Sequence, residues 1–425
     1  MTMFSSLRVR NYRLFASGQV VSLTGTWMQR VAQDWLVLNL SHNSGTAIGI
    51  TTGLQFAPVL LFGLYGGVLA DRYPKRRTLV MTQAVMCLLA LALGLLDVTG
   101  SVSLWHVYAL AFGLGIATAV DSPARQAFVT ELVGPSLLAN AVSLNSATFN
   151  TARVLGPAVA GLMIASIGTG WVFLLNAASF IAVITCLLLM RDDQLFVGKL
   201  VARKKGQVRE GLRYVRGRPD LVAITAVAAV VGTLGFNFQI TSALMTKNVF
   251  HQGAESYGVI SAVYASGSLI GALVAARRGR PSRQLVFVAA ACYGAVEILA
   301  GLMPTYWSFF AMLIPFGFFT LTFSTSANTT VQLSSADSMR GRVMALYLIV
   351  LMGGTPIGAP LIGWIAQVAG PRWSLIVGGV ASAIAAVLAA AYLARREDRA
   401  LRPTLSLRRP RATTPRPAEE DALIG

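Results

Sequence analysis

The amino-acid sequence predicts an all-α membrane protein of twelve spanning helices, arranged as two pseudo-symmetric six-helix halves. Three observations lead there. First, 55% of the 425 residues are hydrophobic and only 12% charged, with mean hydropathy +0.63; a soluble chain of this length needs far more charge to cover its surface. Second, apolar runs of about the twenty residues that cross a bilayer recur from end to end, Gln284–Met303 and Trp373–Ala394 being clear instances. Third, basic residues collect in alternate loops, and the two parts of the chain share short motifs in the same order.

The spans fall at 14–40, 45–70, 78–97, 104–121, 138–167 and 171–190 in a first half, 14–190. In a second half, 220–394, they fall at 221–246, 257–276, 284–303, 306–332, 343–368 and 373–394. Ser41–Gly45, Gly100–Ser103, Gly168–Gly170 and Met303–Pro304 supply short turns between them. Residues 1–13 precede the first span, and 191–219 form a polar linker at the midpoint of the chain. Within that linker Val208–Val215 reads as an amphipathic helix lying on anionic headgroups, beside the basic cluster Arg203, Lys204 and Lys205. The tail, 395–425, is rich in Pro and Arg and reads as disordered.

A net charge of +18 suggests nucleic acid in a soluble chain, but here its location says otherwise. The N-terminus and the alternate loops that follow carry three, four, one, nine, four and two basic residues, and the tail eight. These are 31 of the 35 Lys and Arg; the opposite side has Lys247 and Arg372, and Arg30 and Arg153 lie within spans. The surplus is a topology signal that places both termini in the cytoplasm and excludes a nucleic-acid partner. No cleavable signal peptide precedes the first span. Cys87, Cys186 and Cys292 fall in three separate apolar segments and read as packing.

The halves look related. Gly67-Val-Leu-Ala resembles Gly271-Ala-Leu-Val, and Ala139-Asn-Ala-Val-Ser-Leu resembles Gly341-Arg-Val-Met-Ala-Leu. Gly156-Pro157 with Gly161 resembles Ala359-Pro360 with Gly363. Three matches in order, at offsets of 204, 202 and 202–203, support duplication, and duplicated halves around a central cavity are the plan of a secondary transporter.

Gly67-Val-Leu-Ala-Asp71-Arg72-Tyr-Pro74-Lys75-Arg76-Arg77 resembles the signature loop between the second and third helices of the major facilitator superfamily. Pro74 replaces the usual Gly and Lys75 the usual Arg. Pro123-Ala-Arg125-Gln126-Ala-Phe with Glu131-Leu-Val, Arg340-Gly-Arg342-Val-Met-Ala-Leu and Gly156-Pro157 resemble the enterobactin-exporter-like branch of drug:proton antiporters. The resemblance covers residues 10–395. It implies a conformational latch made of Gly67, Asp71, Arg72, Arg76, Arg125 and Arg340, in which Asp71 meets the start of the eleventh span near Asp337–Gly341 and Arg125 braces it. It also implies that Gly156 and Pro157, in the fifth span, help to seal the outer side; the alternative is a passive packing kink. For the basic residues of the loop the alternative is simple topological anchoring.

Ionisable groups at bilayer depth are costly, so each one asks for a reason. Arg30 and Asp34 lie four apart on one face of the first span, beside Gln29 and Gln33. Either they neutralise each other as an intrahelical pair, or Asp34 is a proton site tuned by Arg30. Glu297, alone in the ninth span, is either a second proton site or a neutral acid at the periphery of the bundle. Arg153, three residues after Asn150, reads as lining the cavity or pairing with Asp34, or else as a satisfied structural Arg. Asn237 and Gln239 among Phe236 and Phe238, with Phe319 in the tenth span, suit an apolar or amphipathic ligand; the alternative is Phe facing lipid.

No phosphate-binding Gly-x-x-x-x-Gly-Lys-Ser/Thr segment, clustered metal ligands or K⁺-filter sequence is present, so neither ATP hydrolysis, metal chemistry nor a potassium channel is expected. The expectation is a monomeric secondary transporter in the bacterial inner membrane, without cofactor, exporting small amphipathic molecules (drug, antibiotic or siderophore-like) against protons by alternating access. The alternatives are an uptake symporter or uniporter of the same fold, and a membrane enzyme or scaffold, which lacks any nucleophile, base or metal constellation.

Overall fold

Backbone groups in lipid must be satisfied within their own segment, so caps and prolines decide where these helices start. The computed structural model describes residues 4–196, 207–278 and 281–401, and the side chains of Leu64, Ala70, Asp71, 207–209 and 397–401 fall outside that description. The basic cluster 203–205 and most of the tail therefore also lie outside it. No strand forms among the described residues. α1 (Arg10–Leu40), α2 (Gly45–Arg72) and α3 (Lys75–Val98) run back and forth. Ser44 caps α2 by accepting from the Ala47 amide, and Pro74 precedes α3. A reciprocal Ser103–His106 capping box starts α4 (Leu104–Ile167), which α5 (Thr169–Leu188) follows.

α4 is 64 residues long, or about 96 Å at 1.5 Å per residue, some three times a bilayer's hydrocarbon core. It breaks at Gly134 (φ 67°, ψ 178°), a conformation essentially reserved for glycine, and Pro135 follows. The two arms fold back along α1: Arg125 reaches Gln19, and Gly156 presses on Thr24 and Trp27. Phe128 and Ala141, one from each arm, share a core with Tyr12 and Phe15.

After α6 (Gln207–Arg216) come α7 (Pro219–Val230), a π-helical turn Val231–Gly235, α8 (Phe238–Leu244) and a second π turn Met245–Val249. α9 (Ala254–Arg278), α10 (Arg283–Leu302), α11 (Tyr306–Ser334), α12 (Arg340–Gly353), α13 (Thr355–Ala369) and α14 (Pro371–Leu401) complete the chain. α6 forms where the amphipathic helix was expected, and it packs on another helix. Glu210 pairs with Arg342 at 2.9 Å, a Cβ on Gly211 would stand 3.1 Å from Leu346, and Val215 is buried, so this helix packs on α12. The eleventh expected span is two helices, α12 and α13, divided at Gly354. There a Cβ on Gly354 would stand 2.9 Å from Thr233 Cα, so the division sits against the first π turn.

Ten helical stretches among the described residues are long and apolar enough to cross a bilayer. Leu104–Ile167 is one of them despite its break, and α1 is not among them because Gln29, Arg30, Gln33 and Asp34 interrupt its apolar face. Two apolar cores draw only on residues before 191, and the largest only on residues after 214. A fourth core mixes Leu36, Leu38, Ile48 and Ile164 with Ile240, Leu244, Tyr257 and Ala366.

Candidate transport cavity

The mixed core lies at one end of the bundle, where α1 ends, α2 begins and α13 ends. Cross-connections between α1–α5 and α7–α14 run from mid-bundle to this end. Tyr257 on α9 donates to Asp34 Oδ2 at 2.8 Å, and Arg153 donates to Ser268 Oγ at 2.8 Å. The Gly45 amide donates to Gln367 Oε1 at 2.8 Å, Asn248 donates to the Asn43 carbonyl at 3.2 Å, and Lys247 donates to Asn39. Glycines let the backbones meet. A Cβ on Gly49 would lie 2.9 Å from Pro360 Cα, and one on Gly258 would lie 2.8 Å from Gly161 Cα. This end is a seal.

The other end carries the basic residues, and its polar contacts stay local. Lys75 pairs with Glu131 at 2.8 Å, and Arg76 donates to the carbonyls of Leu187 and Leu188 and pairs with Asp192. Arg340 pairs with Asp337 and donates to the Gln332 carbonyl. Among the described residues no hydrogen bond or ion pair joins the N-terminal to the C-terminal helices at this end. Arg76 and Arg340 thus do not act as a latch in this arrangement; Arg76 is occupied by the carbonyl-rich end of α5, where a helix dipole favours a cation. Gly67 is half-buried and Arg72 exposed on α2, while the Asp71 side chain, with its expected bracing by Arg125, lies outside the described residues.

Between seal and basic end lies a cavity of about 660 Å³. Gln29, Arg30 and Gln33 of α1, Gln55 and Phe56 of α2, and Asn150 of α4 line it. Trp27, Phe149 and Phe180 add aromatic wall, and Leu348, Ile349 and Met352 of α12 close the side opposite. Amides hold one another in place: Gln33 donates to Gln55 Oε1 at 3.2 Å, and Asn176 donates to Gln29. A volume this size, mostly apolar with a few fixed polar groups, suits a small organic ligand.

Among the described residues three charged side chains line the cavity. Asp121 and Arg125 pair, with Thr82 and Gln83 each donating to Asp121 Oδ1 at 2.8 Å and Arg125 also donating to Gln19. Among the described residues Arg30 has neither a hydrogen bond nor an ion pair; its guanidinium lies 4.7 Å from the Trp27 ring centroid and 5.9 Å from that of Phe56. The expected Arg30–Asp34 ion pair does not form. Asp34 is turned away toward Tyr257 and does not line the cavity.

Several expected cavity residues lie elsewhere. Arg153 is held by Ser268 and lies 5.9 Å from the Tyr264 ring on α9, which draws it out of the wall and away from Asp34. Asn237 donates to the Thr233 carbonyl at 2.9 Å, Gln239 offers its carbonyl to Tyr257, and Phe319 packs on the C-terminal core. Glu297 is not peripheral either. It is 1% exposed inside the C-terminal helices, near Tyr293 and Gly378, with no partner for Oε2. Gly156 and Pro157 do reach the contact zone, Gly156 against α1 and the Pro157 carbonyl against Gly258. Sequence reasoning missed Tyr257 and Asp121. The latter carried a signal in its i,i+4 spacing to Arg125.

Comparison with known proteins bears on this geometry. The family described as transmembrane secretion effector matches residues 1–415. The staphyloferrin A transporter of Staphylococcus aureus is 25% identical over 382 residues, 87% of this chain and 93% of that protein. The enterobactin exporter EntS of Shigella flexneri is 24% identical over 387 residues, 89% and 90% of the two chains. A bacterial homologue of the human lysosomal transporter Spinster, inward-facing and unoccupied, superposes with TM-score 0.71 at 17% identity over 91% of this chain and 97% of its own. A bacterial homologue of the iron transporter ferroportin, also inward-facing, gives 0.70 at 15% identity over 91% and 98%.

Proposed function

Because the chain belongs to the transmembrane secretion effector family of the major facilitator superfamily, and so is a multi-pass membrane transporter of small molecules and not an enzyme, we propose that it exports small amphipathic molecules from bacteria in exchange for protons. The observation that carries this reading is a cavity sealed at one end of the bundle by cross-connections and left unbridged at the other.

The helices read as twelve crossings in two halves, with the arms of α4 counted separately and α1 included. The basic end then faces the cytoplasm with both termini, and this arrangement accepts cargo from inside. Transport follows when the seal parts and the basic end closes, as expected of paired repeats. Asp34 sits where the cavity wall meets the seal, one turn from Arg30, and its bond to Tyr257 is one of those that must break for the cavity to reach the outside. Parting the seal brings outer water to Asp34, so the proton is assigned to it and not to Glu297. The names of the siderophore-transporting relatives make chelators of that class the first substrates to try.

The test uses everted membrane vesicles energised to acidify their interior. Candidate chelators and lipophilic dyes are expected to accumulate only while the gradient lasts, and Asp34→Asn is expected to abolish accumulation while Glu297→Gln retains it. Accumulation that ignores an uncoupler, or that survives Asp34→Asn, overturns the reading.

A further inference from the structure

Arg30 poses a problem of charge balance. A guanidinium at mid-membrane depth is costly unless something neutralises it, and intramembrane Arg residues ordinarily pair. The other two charges on the cavity wall, Asp121 and Arg125, satisfy each other. Asp34 is drawn off by Tyr257 and Arg153 by Ser268, so neither meets Arg30. Trp27 and Phe56 flank the guanidinium, at 4.7 and 5.9 Å from their ring centroids, and among the described residues its N–H groups have no acceptor. Among the described residues the cavity wall therefore carries one net positive charge, beside Trp27 and Phe56.

We propose that Arg30 is the anion-recognition group of this cavity, and that the transported molecule bears an acidic group, such as a carboxylate, attached to an aromatic or otherwise apolar body. The inference rests on the transport reading and adds the charge of the cargo. Its chemistry follows from the wall. A guanidinium edge takes a carboxylate through two parallel N–H bonds, while Trp27, Phe149 and Phe180 offer faces for a planar body. Tyr257 belongs to the same device. By holding Asp34 it keeps the internal carboxylate from occupying Arg30, and the cation stays available to cargo while the seal is shut. When the seal parts, that bond is lost and Asp34 is left open to the outer proton.

The experiment compares three ligands of one shape, 2-naphthoate, 2-naphthalenemethanol and protonated 2-naphthylmethylamine, by equilibrium dialysis against the full chain in lipid nanodiscs, with empty nanodiscs subtracted. Naphthoate is expected to bind saturably and more tightly than the other two. Arg30→Gln is expected to weaken naphthoate about tenfold to a hundredfold, the range for loss of a charge-assisted bond, and to leave the alcohol unchanged. Tyr257→Phe is expected to weaken naphthoate as well, by releasing Asp34 onto Arg30, and adding Asp34→Asn is expected to restore it. Equal binding of naphthoate and the amine, or an Arg30→Gln protein with unaltered preference, overturns the proposal. Proton-driven flux of cationic compounds alone overturns the anion site and spares the export reading; naphthoate binding without any gradient-driven flux does the reverse.

Discussion

The seal depends on glycines, and Gly258→Ala tests how sharply. A Cβ at Gly258 would stand 2.8 Å from Gly161 Cα and 3.0 Å from its amide nitrogen, with the Pro157 carbonyl closer still. Carbon atoms settle at about 3.5–4.0 Å, so α9 and the second arm of α4 must separate by roughly 1 Å to admit one methyl group. Overpacking of this kind costs about 1–3 kcal/mol. The gain in helix propensity from Gly to Ala applies whether or not the helices touch, so it drops out of the comparison. The penalty falls only on the sealed arrangement, and at 1.4 kcal/mol per tenfold it shifts the equilibrium toward the parted one by roughly 5- to 150-fold. The readout is maleimide labelling from outside the cell of a cysteine at Ile48, fully buried in the mixed core, after Cys87, Cys186 and Cys292 are replaced by alanine. Labelling is expected to accelerate by that factor. Gly341→Ala, whose Cβ meets nothing within 4 Å, is expected to change nothing. An unchanged rate in a folded Gly258→Ala protein refutes the account of the seal as a glycine-limited contact.

Two further outcomes follow from the cavity wall and the α4 break. Asp121→Asn removes the charge that Thr82, Gln83 and Arg125 converge on; leaving Arg125 without its partner is expected to cost about 3–5 kcal/mol, read as a large fall in melting temperature in detergent. Gly134→Ala forces a side chain into a conformation that only glycine adopts freely, at a cost of about 1–3 kcal/mol, and is expected to lower thermal stability while leaving ligand affinity unchanged once folded.

Long apolar helices were legible because hydropathy reports the membrane directly, whereas the break at Gly134-Pro135 was passed over. Partners across the bundle were not. Arg30 and Asp34 are four apart and read naturally as a pair, yet Asp34 is taken by Tyr257, 223 residues along the chain. Spacing within a helix tells which residues share a face but not which neighbour that face will meet. Arg153 fails for the same reason, since Ser268 and Tyr264 reach it from α9. Asp121 was within reach from its spacing to Arg125, but motif resemblance directed Arg125 toward Asp71 instead. The interruptions at the π turn Val231–Gly235 and at Gly354 left no periodic trace, because both keep apolar residues on either side.

That paired interruption has a mechanical consequence. α12 carries Leu348, Ile349 and Met352 on the cavity wall, whereas α13 carries Ala359, Pro360 and Gln367 against α2 at the far end. A junction whose regular amide–carbonyl ladder is already interrupted bends without breaking further bonds. Wall and plug thus sit on the two helices of one stretch, so any change in angle at Gly354 alters the cavity side and the far-end contact together.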